Sequence, residues 1–193
     1  MLKMQIILGS NRPGRNGAKI AEWVEQEVLA RGDVEVDFVD LAELDLPFMD
    51  EPNHPAMQHY TKQHTKDWSK RVAAADGFIF MIAEYNHGYT AVLKNAIDFL
   101  NREWNHKPVA FVSYGGVAGG SRAVEQLRQV VAELRMMGLR DQVVIPLQSA
   151  FDQSGQLAIS DPIKLSAKVM LDDLVLWADR LKVLRVEPVV PAA

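Results

Sequence analysis

A glycine-rich turn near the amino terminus carries the residues best suited to bind an anion. It spans Gly9–Gly17, between the apolar run Met4–Leu8 and a segment with Ile20, Val24 and Val28 four residues apart. This order predicts a strand, a tight turn and a helix. Glycines let main-chain N–H groups turn inward, and a helix N-terminus adds unpaired N–H groups and partial positive charge, which favours phosphate. The candidate phosphate ligands are Ser10, Arg12, Arg15, Asn16 and Gly17.

Two later loops have residue types suited to a flat ring rich in hydrogen-bonding atoms. Ala83–Gly88 offers an aromatic ring, an amide and main chain, and Ser113–Arg122 holds four glycines that let main-chain N–H groups approach a ligand. Glycines can serve only to form tight turns, but that explanation suits one glycine-containing loop better than three such loops in one chain. The candidates are Glu84, Tyr85, Asn86 and His87 in the first loop, and Ser113, Tyr114, Gly115, Gly116, Gly119 and Arg122 in the second.

Strands and helices alternate along the chain, which predicts a parallel sheet covered on both faces. The predicted strands are Lys3–Leu8, Val34–Val39, Phe78–Ala83, Val109–Ser113 and Gln142–Ile145. The predicted helices are Asn16–Arg31, 57–74, Thr90–Arg102, Ser121–Met137 (ended by Gly138) and one from Asp161 onwards. Between them, 41–56 is predicted as an irregular loop and Leu147–Leu157 as a loop or small hairpin.

The order of the strands decides which loops meet. The first strand is not followed by Gly-x-Gly-x-x-Gly, and no lysine-containing phosphate loop occurs. Asp40, at the end of the second predicted strand, is near the position of a ribose-binding acid but does not match that motif convincingly. A flavodoxin-like α/β fold with strand order 2-1-3-4-5 is therefore favoured over the dinucleotide-binding order. That order makes strands 1, 3 and 4 neighbours, so their three loops share one crevice. A phosphate loop beside two ring-binding loops predicts a mononucleotide such as FMN. The domain is expected to span 1–185, followed by a tail over 186–193.

Composition limits the remaining function classes. The chain has 193 residues, 48% of them hydrophobic, and a formal net charge of −4, which argues against nucleic acid or an anionic membrane as a partner. It contains no cysteine, so thiol nucleophiles and thiolate metal sites are excluded. The amino terminus does not read as a signal peptide and no apolar run reaches membrane-spanning length, so a cytoplasmic location is expected.

Two other kinds of site are disfavoured. His54, His59 and His64 are five residues apart, which fits no standard metal spacing. A serine hydrolase would need a Gly-x-Ser-x-Gly turn, and Ser113 instead begins a glycine-rich loop.

Taken together, the three loops resemble the NADPH-dependent FMN reductase family, which includes quinone, azo-dye and chromate reductases. The matching motifs are Gly-Ser-x-Arg-x-x-Arg, Glu-Tyr-Asn followed by Leu93-Lys94-Asn95-Ala96-Ile97-Asp98, and Ser-x-Gly-Gly-x-x-Gly-Gly, within a similarity from about Met4 to Arg180. The family usually has proline where this chain has Ala83. The resemblance implies FMN phosphate on the first loop, the isoalloxazine N5 and O4 edge near Glu84–His87, and its pyrimidine side or ribityl chain near Ser113–Gly116, with Gly119 and Arg122 in the same loop.

The resemblance also implies an activity. NADPH or NADH would reduce bound FMN by hydride transfer to N5, and a small acceptor would then take the electrons in a ping-pong sequence, with no side chain acting as acid, base or nucleophile. Two alternatives stay open: a flavodoxin-type electron carrier, and a non-enzymatic binding or assembly protein. The arginines of the first loop and the mild net charge argue against a carrier.

Apolar residues on two predicted helices suggest self-association. The helix over Thr90–Arg102 has more apolar positions than one sheet contact requires, with Val92 and Phe99 expected to point away from the sheet. The helix over Ser121–Met137 shows a similar excess. A homodimer or homotetramer that pairs these helices is expected, with Trp104 as a residue that could reach the flavin of a neighbouring subunit.

Overall fold

The structure is a computed structural model and describes residues 1–185, so the predicted tail over 186–193 lies outside the described residues. Its strands are β1 (Leu2–Gly9), β2 (Val34–Asp40), β3 (Gly77–Ala83), β4 (Pro108–Gly115) and β5 (Met137–Pro146). All neighbouring strands pair in parallel, in the order β2-β1-β3-β4-β5. The predicted flavodoxin-like α/β fold is confirmed.

Helices cover both faces of this sheet. Within residues 1–185 they are α1 (Gly17–Leu29), α2 (Leu41–Leu44), α3 (Gln63–Ala73), α4 (Ala91–Asp98), α5 (Ser121–Glu133), α6 (Leu147–Ala150) and α7 (Asp161–Leu181). Buried residues of α1 and α7 pack on one face, and those of α3, α4 and α5 on the other. Every residue of β3 is buried, as expected for a central strand between two helical layers. No helix in the described part combines the length and apolar character needed to cross a membrane.

The boundary between α5 and β5 differs from the prediction. The helix ends at Glu133 rather than Met137, and Arg135 turns the chain with a φ of 54°. Gly138 does not end the helix, because it lies inside β5 and pairs with Val109 of β4. The apolar residues here suit either structure, and the main-chain ladder to β4 decides in favour of a longer strand.

The segment between β2 and α3 is more ordered than predicted. Asp40 caps the short helix α2 by accepting a hydrogen bond from the Ala42 amide at 2.9 Å. The helix predicted from residue 57 begins only at Gln63, after a 3₁₀ turn over Pro55–Met57. A single carboxylate, Glu51, holds the residues before α3, because it accepts the main-chain N–H groups of Thr61 and Lys62 at 2.8 and 2.9 Å.

Two aromatic residues considered for contacts with another subunit lie inside the chain. Phe99, expected to point away from the sheet, is fully buried among residues of α3, α4 and α5. Trp104 is also fully buried, and its indole N–H donates to the Ile97 carbonyl at 3.1 Å. The 3₁₀ turn Arg102–Trp104 follows α4 and carries Trp104 under Phe78, with 4.9 Å between ring centroids. The prediction for Phe99 was wrong, and Trp104 takes a core position rather than reaching another subunit, because the chain's own core buries both rings.

Glu51→Gln should lower the free energy of unfolding by about 1 kcal/mol, because main-chain hydrogen bonds to a charged acceptor contribute more than those to a neutral amide. Partial burial alone would raise the pKa of Glu51, but hydrogen bonds from the Thr61 and Lys62 main chain outweigh it and lower this pKa from 4.5 to about 2. A carboxyl group with a lowered pKa stabilises the fold above its unfolded pKa and loses that effect as pH falls through the folded value.

Chemical unfolding of wild type and variant from pH 7 to pH 2.5 measures this effect. The difference between them should be largest above pH 5 and should shrink towards pH 2.5. Glu35→Gln, at an exposed position of β2, serves as the control. A difference that does not depend on pH would contradict this role for Glu51.

Candidate functional site

A cavity of about 290 Å³ opens at the edge of the sheet where β1, β3 and β4 end. This volume is close to the lower limit of small-molecule sites, which is roughly 300 Å³. All three predicted loops contribute to its walls, because parallel pairing brings the carboxyl ends of these strands together. The lining residues are Ser10, Arg12, Pro13, Gly14, Arg15, Asn16, Ala83, Glu84, Tyr85, Tyr114, Gly115, Gly116 and Leu147.

The remaining predicted residues lie outside this lining, and several have structural roles instead. The Ser113 hydroxyl is buried and donates to the Val143 carbonyl at 3.4 Å. Gly119 has a φ of 55°, and a Cβ there would lie 2.5 Å from Val144 Cγ1, so the turn needs glycine for close packing. Gly17 and Asn86 directly follow the lining residues Asn16 and Tyr85. Arg122 contacts the lining residue Glu84 and also His87.

The first loop presents an uncapped helix to the cavity. Asn16 is the N-cap of α1, yet its side chain makes no capping hydrogen bond, so the N–H groups of the first turn stay available to a ligand. Arg15 forms an ion pair with Asp40, which partly neutralises its charge. Arg12 is exposed at the cavity wall and supplies the more accessible positive charge.

Two tyrosines of the later loops lie against the first loop in the cavity wall. Ser10 Oγ and Tyr85 Oη share a hydrogen bond of 3.0 Å, which joins the first loop to the second. Tyr114 is only 4% exposed, and within residues 1–185 its hydroxyl has no hydrogen-bond partner. Burial raises the pKa of Tyr114 well above its ordinary value. The nearby Ser10 hydroxyl lowers this pKa, but its geometry does not make it a hydrogen-bond partner of Tyr114. An unpaired buried hydroxyl costs about 1–3 kcal/mol, so Tyr114 is a strong candidate for contact with a ligand.

The second loop is a tight turn with a strained main chain. Tyr85 and Gly88 exchange two main-chain hydrogen bonds of 2.9 and 3.0 Å, and the residues between them, Asn86 and His87, have φ values of 50° and 71°. Non-glycine residues seldom adopt such angles, and they concentrate at functional sites. The Glu84 N–H donates to the Tyr114 carbonyl at 3.1 Å, so this contact and the turn order the loop although Ala83 replaces the family's usual proline.

A charged cluster joins the second and third loops at the cavity rim. Arg122 Nε donates to Glu84 Oε1 at 2.7 Å, and Arg122 Nη1 donates to His87 Nε2 at 2.8 Å. The second carboxylate oxygen, Glu84 Oε2, is buried and has no partner within residues 1–185. Arg122 therefore acts on the site through Glu84 and His87 rather than from the cavity wall.

The sequence missed Leu147, which begins α6 directly after β5 and lines the cavity. The predicted strand order was the available signal, because β5 lies beside β4 and its carboxyl end reaches the same edge. The histidines disfavoured as metal ligands make local contacts, with His54 accepting from the Ala56 N–H and His64 bonding Asp50 at 2.9 Å. Among the described residues, no group of three or more His, Asp or Glu side chains is placed to hold a metal ion.

The polar groups of this cavity fit the FMN that the resemblance implies. An uncapped helix N-terminus beside Arg12 and Arg15 suits a dianionic phosphate. The unpaired oxygen of Glu84 is an acceptor for a ring N–H, and the unpaired hydroxyl of Tyr114 is a donor. A Cβ at Gly116 would meet nothing within 4 Å, so main chain there is open to a ring.

Comparisons with known proteins agree with this assignment. The family model for NADPH-dependent FMN reductases matches residues 2–150. An NAD(P)H-dependent FMN reductase of Schizosaccharomyces pombe is 44% identical over 136 residues, which are 69% of this chain and 68% of that protein. Another from Nectria sp. is 38% identical over 159 residues, 79% of each chain.

The fold has a solved counterpart. The structure of a flavoenzyme NAD(P)H:(acceptor) oxidoreductase from Paracoccus denitrificans aligns with a TM-score of 0.72 at 20% identity, over 93% of this chain and 98% of that one. Both the matched family model and the identity to the two reductases establish the relationship. The chain belongs to the NADPH-dependent FMN reductase family, and it is an FMN-dependent oxidoreductase that uses NAD(P)H as its electron donor.

Proposed function

We propose that this enzyme moves two electrons from NAD(P)H through FMN to a small acceptor: a quinone, a free flavin, an azo compound or a metal oxyanion. The observation that carries the proposal is the meeting of three loops in one cavity, with anion-binding groups at one end and open main chain at the other. When bound, FMN supplies the redox chemistry by accepting and releasing two electrons. The donor and the acceptor use the same open side in turn, in a ping-pong sequence. Residues 1–185 act as one cofactor-binding domain.

The chain's own residues bind and orient rather than react. Arg12, Arg15 and the N-terminus of α1 hold the phosphate, and the Tyr85–Gly88 turn and the main chain of Gly115 and Gly116 meet the ring. The ion pair between Arg122 and Glu84 keeps the second and third loops together at the rim. No side chain of the cavity is assigned a role as general acid, base or nucleophile.

Self-association remains part of the proposal, with a revised contact surface. Asn95 of α4 fastens the segment Pro47–Met49, because it donates to the Pro47 carbonyl at 2.7 Å and accepts from the Met49 N–H at 3.1 Å. Phe48 in this segment is 83% exposed beside α4. The adjacent Met49 is also exposed, so the two side chains form an apolar surface beside α4 that a second subunit could cover. We infer a homodimer or homotetramer whose subunits meet at this surface, without Phe99 or Trp104.

Arg12→Ala should weaken FMN binding by roughly 1.5–3 kcal/mol, because it removes a charge-assisted contact to phosphate. Arg15→Ala should have a smaller effect, since Asp40 already shares the charge of Arg15. Fluorescence titration of the apoprotein with FMN measures both, and Arg140→Ala at an exposed site is the control. An unchanged dissociation constant for Arg12→Ala would place this side chain in solvent.

Anaerobic addition of NADPH or NADH to the FMN-loaded enzyme should bleach the visible flavin absorbance, and a quinone should restore it. Steady-state double-reciprocal plots at several quinone concentrations should give parallel lines, as a ping-pong sequence requires. Intersecting lines would indicate a complex with donor and acceptor bound together and would refute the ping-pong mechanism. A flavin that stays oxidised with both nucleotides yet accepts electrons from a reduced protein would support the carrier alternative instead.

Phe48→Glu should shift the enzyme to a smaller species in sedimentation velocity at micromolar concentration, because a carboxylate cannot be buried in an apolar contact without a large desolvation cost. Leu165→Glu, at an exposed apolar position of α7, is the matched control and should leave the mass unchanged. A wild-type protein that is monomeric at this concentration and fully active would refute the assembly.

A further inference from the structure

The main chain and the side chain of Tyr114 lie in different parts of the site. Its main chain belongs to the third loop, where its carbonyl accepts the Glu84 N–H at 3.1 Å. Its side chain instead crosses to the first loop, because a Cβ at Gly17 would lie 2.1 Å from Tyr114 Oη and 2.7 Å from its Cζ. Gly17 is the first residue of α1. The hydroxyl therefore packs against the helix N-terminus, although the motif places Tyr114 with the ring-binding residues.

The surroundings of this hydroxyl are those of an anion site. The helix α1 has 13 residues, and its N-cap side chain leaves the first-turn N–H groups without a cap. Arg15 is near enough to lower the pKa of Tyr114 while Asp40 raises it, which places the hydroxyl in the field of this ion pair. A phenol keeps its proton at neutral pH, and burial raises the pKa of Tyr114 further, so the hydroxyl is a hydrogen-bond donor.

No protein group within the described residues holds the Tyr114 hydroxyl, because the nearby Ser10 hydroxyl shares its hydrogen bond with Tyr85 Oη at 3.0 Å. The Tyr114 hydroxyl is nonetheless buried, and its residue lines the cavity. Phenylalanine would fill the same space between the sheet and α1 without burying an unpaired donor. A buried donor that the protein leaves unpaired, directed at an uncapped helix N-terminus, is a donor for a ligand.

We propose that Tyr114 binds the phosphate of the cofactor through its hydroxyl, and that it makes the site prefer FMN over riboflavin. This inference rests on the proposed function, and it assigns the side chain of Tyr114 to the phosphate rather than to the pyrimidine side or the ribityl chain. The Tyr114 hydroxyl would add a neutral donor to a phosphate site in which Arg15 is already paired with Asp40.

Titration of apoprotein with FMN and with riboflavin, followed by flavin fluorescence, isolates the phosphate contact. Tyr114→Phe should raise the dissociation constant for FMN roughly ten- to a hundredfold and leave that for riboflavin within about twofold of wild type. Tyr89→Phe, a partly buried tyrosine packed on the opposite face of the sheet, should change neither. The thermal midpoint of Tyr114→Phe apoprotein should equal or exceed that of wild type, because the variant loses only an unpaired buried donor.

Each other outcome overturns the inference. Equal weakening of both flavins would assign the hydroxyl to the ribityl chain or the ring, and no change in either would leave it without a ligand. A lower midpoint of the apoprotein, or a variant that does not fold, would show a structural partner inside the protein. Wild-type protein that binds neither flavin would refute the proposed function itself. The outcomes for Tyr114→Phe test the role of the hydroxyl only when wild type binds FMN.

Discussion

Parallel pairing of β1 with β3 and of β3 with β4 is the constraint on which this site depends. Gly9 lies beside Ile82, and Ala83 lies beside Tyr114, so three chain segments distant in sequence end side by side. Each strand then turns into a helix or loop at the same edge of the sheet. The cavity is the space that remains where these turns diverge, as is usual for ligand sites in open α/β sheets.

Glycine has two roles in these turns, and the motif does not distinguish them. A Cβ at Gly9 would lie 2.8 Å from the Met81 carbonyl, and one at Gly120 would lie 2.8 Å from the Tyr114 nitrogen. Those glycines allow neighbouring main chain to pack and thereby give the cavity its shape. Gly116 instead leaves open space where a ring can approach the main chain. Motif residues therefore divide into those that build the cavity and those that face it.

Positive charge at the site is controlled by pairing. Arg15 is held by Asp40 and Arg122 by Glu84, so neither arginine presents its full charge to the cavity. Both carboxylates are largely buried, which limits solvent screening of these pairs. These pairs fix the side chains of Arg15 and Arg122 beside the cavity. Arg12 is exposed at the cavity wall. In the proposed binding mode, main-chain N–H groups and neutral donors would contribute to cofactor recognition as much as net charge does.

Local pattern was enough to predict much of this protein. Apolar runs predicted the central strands β1, β3 and β4, because a strand covered by helices on both faces is largely apolar. The absence of dinucleotide motifs pointed to the observed strand order. The same order places the three loops together at one edge of the sheet. Residues such as Ser10, Glu84 and Gly116 were found because the motif and the strand ends coincide.

Tertiary packing decided what local pattern left ambiguous. Met137 and Gly138 suit a helix end or a strand, and only hydrogen bonding to β4 selects the strand. Phe99 is as apolar as an interface residue, but the layer formed by α3, α4 and α5 buries it within the chain. Tyr114 sits in a ring-binding motif, yet its long side chain reaches α1 because Gly17 leaves room for it. Sequence by itself determined which segments form the site, and the three-dimensional packing of their side chains decided which atom each residue presents to it.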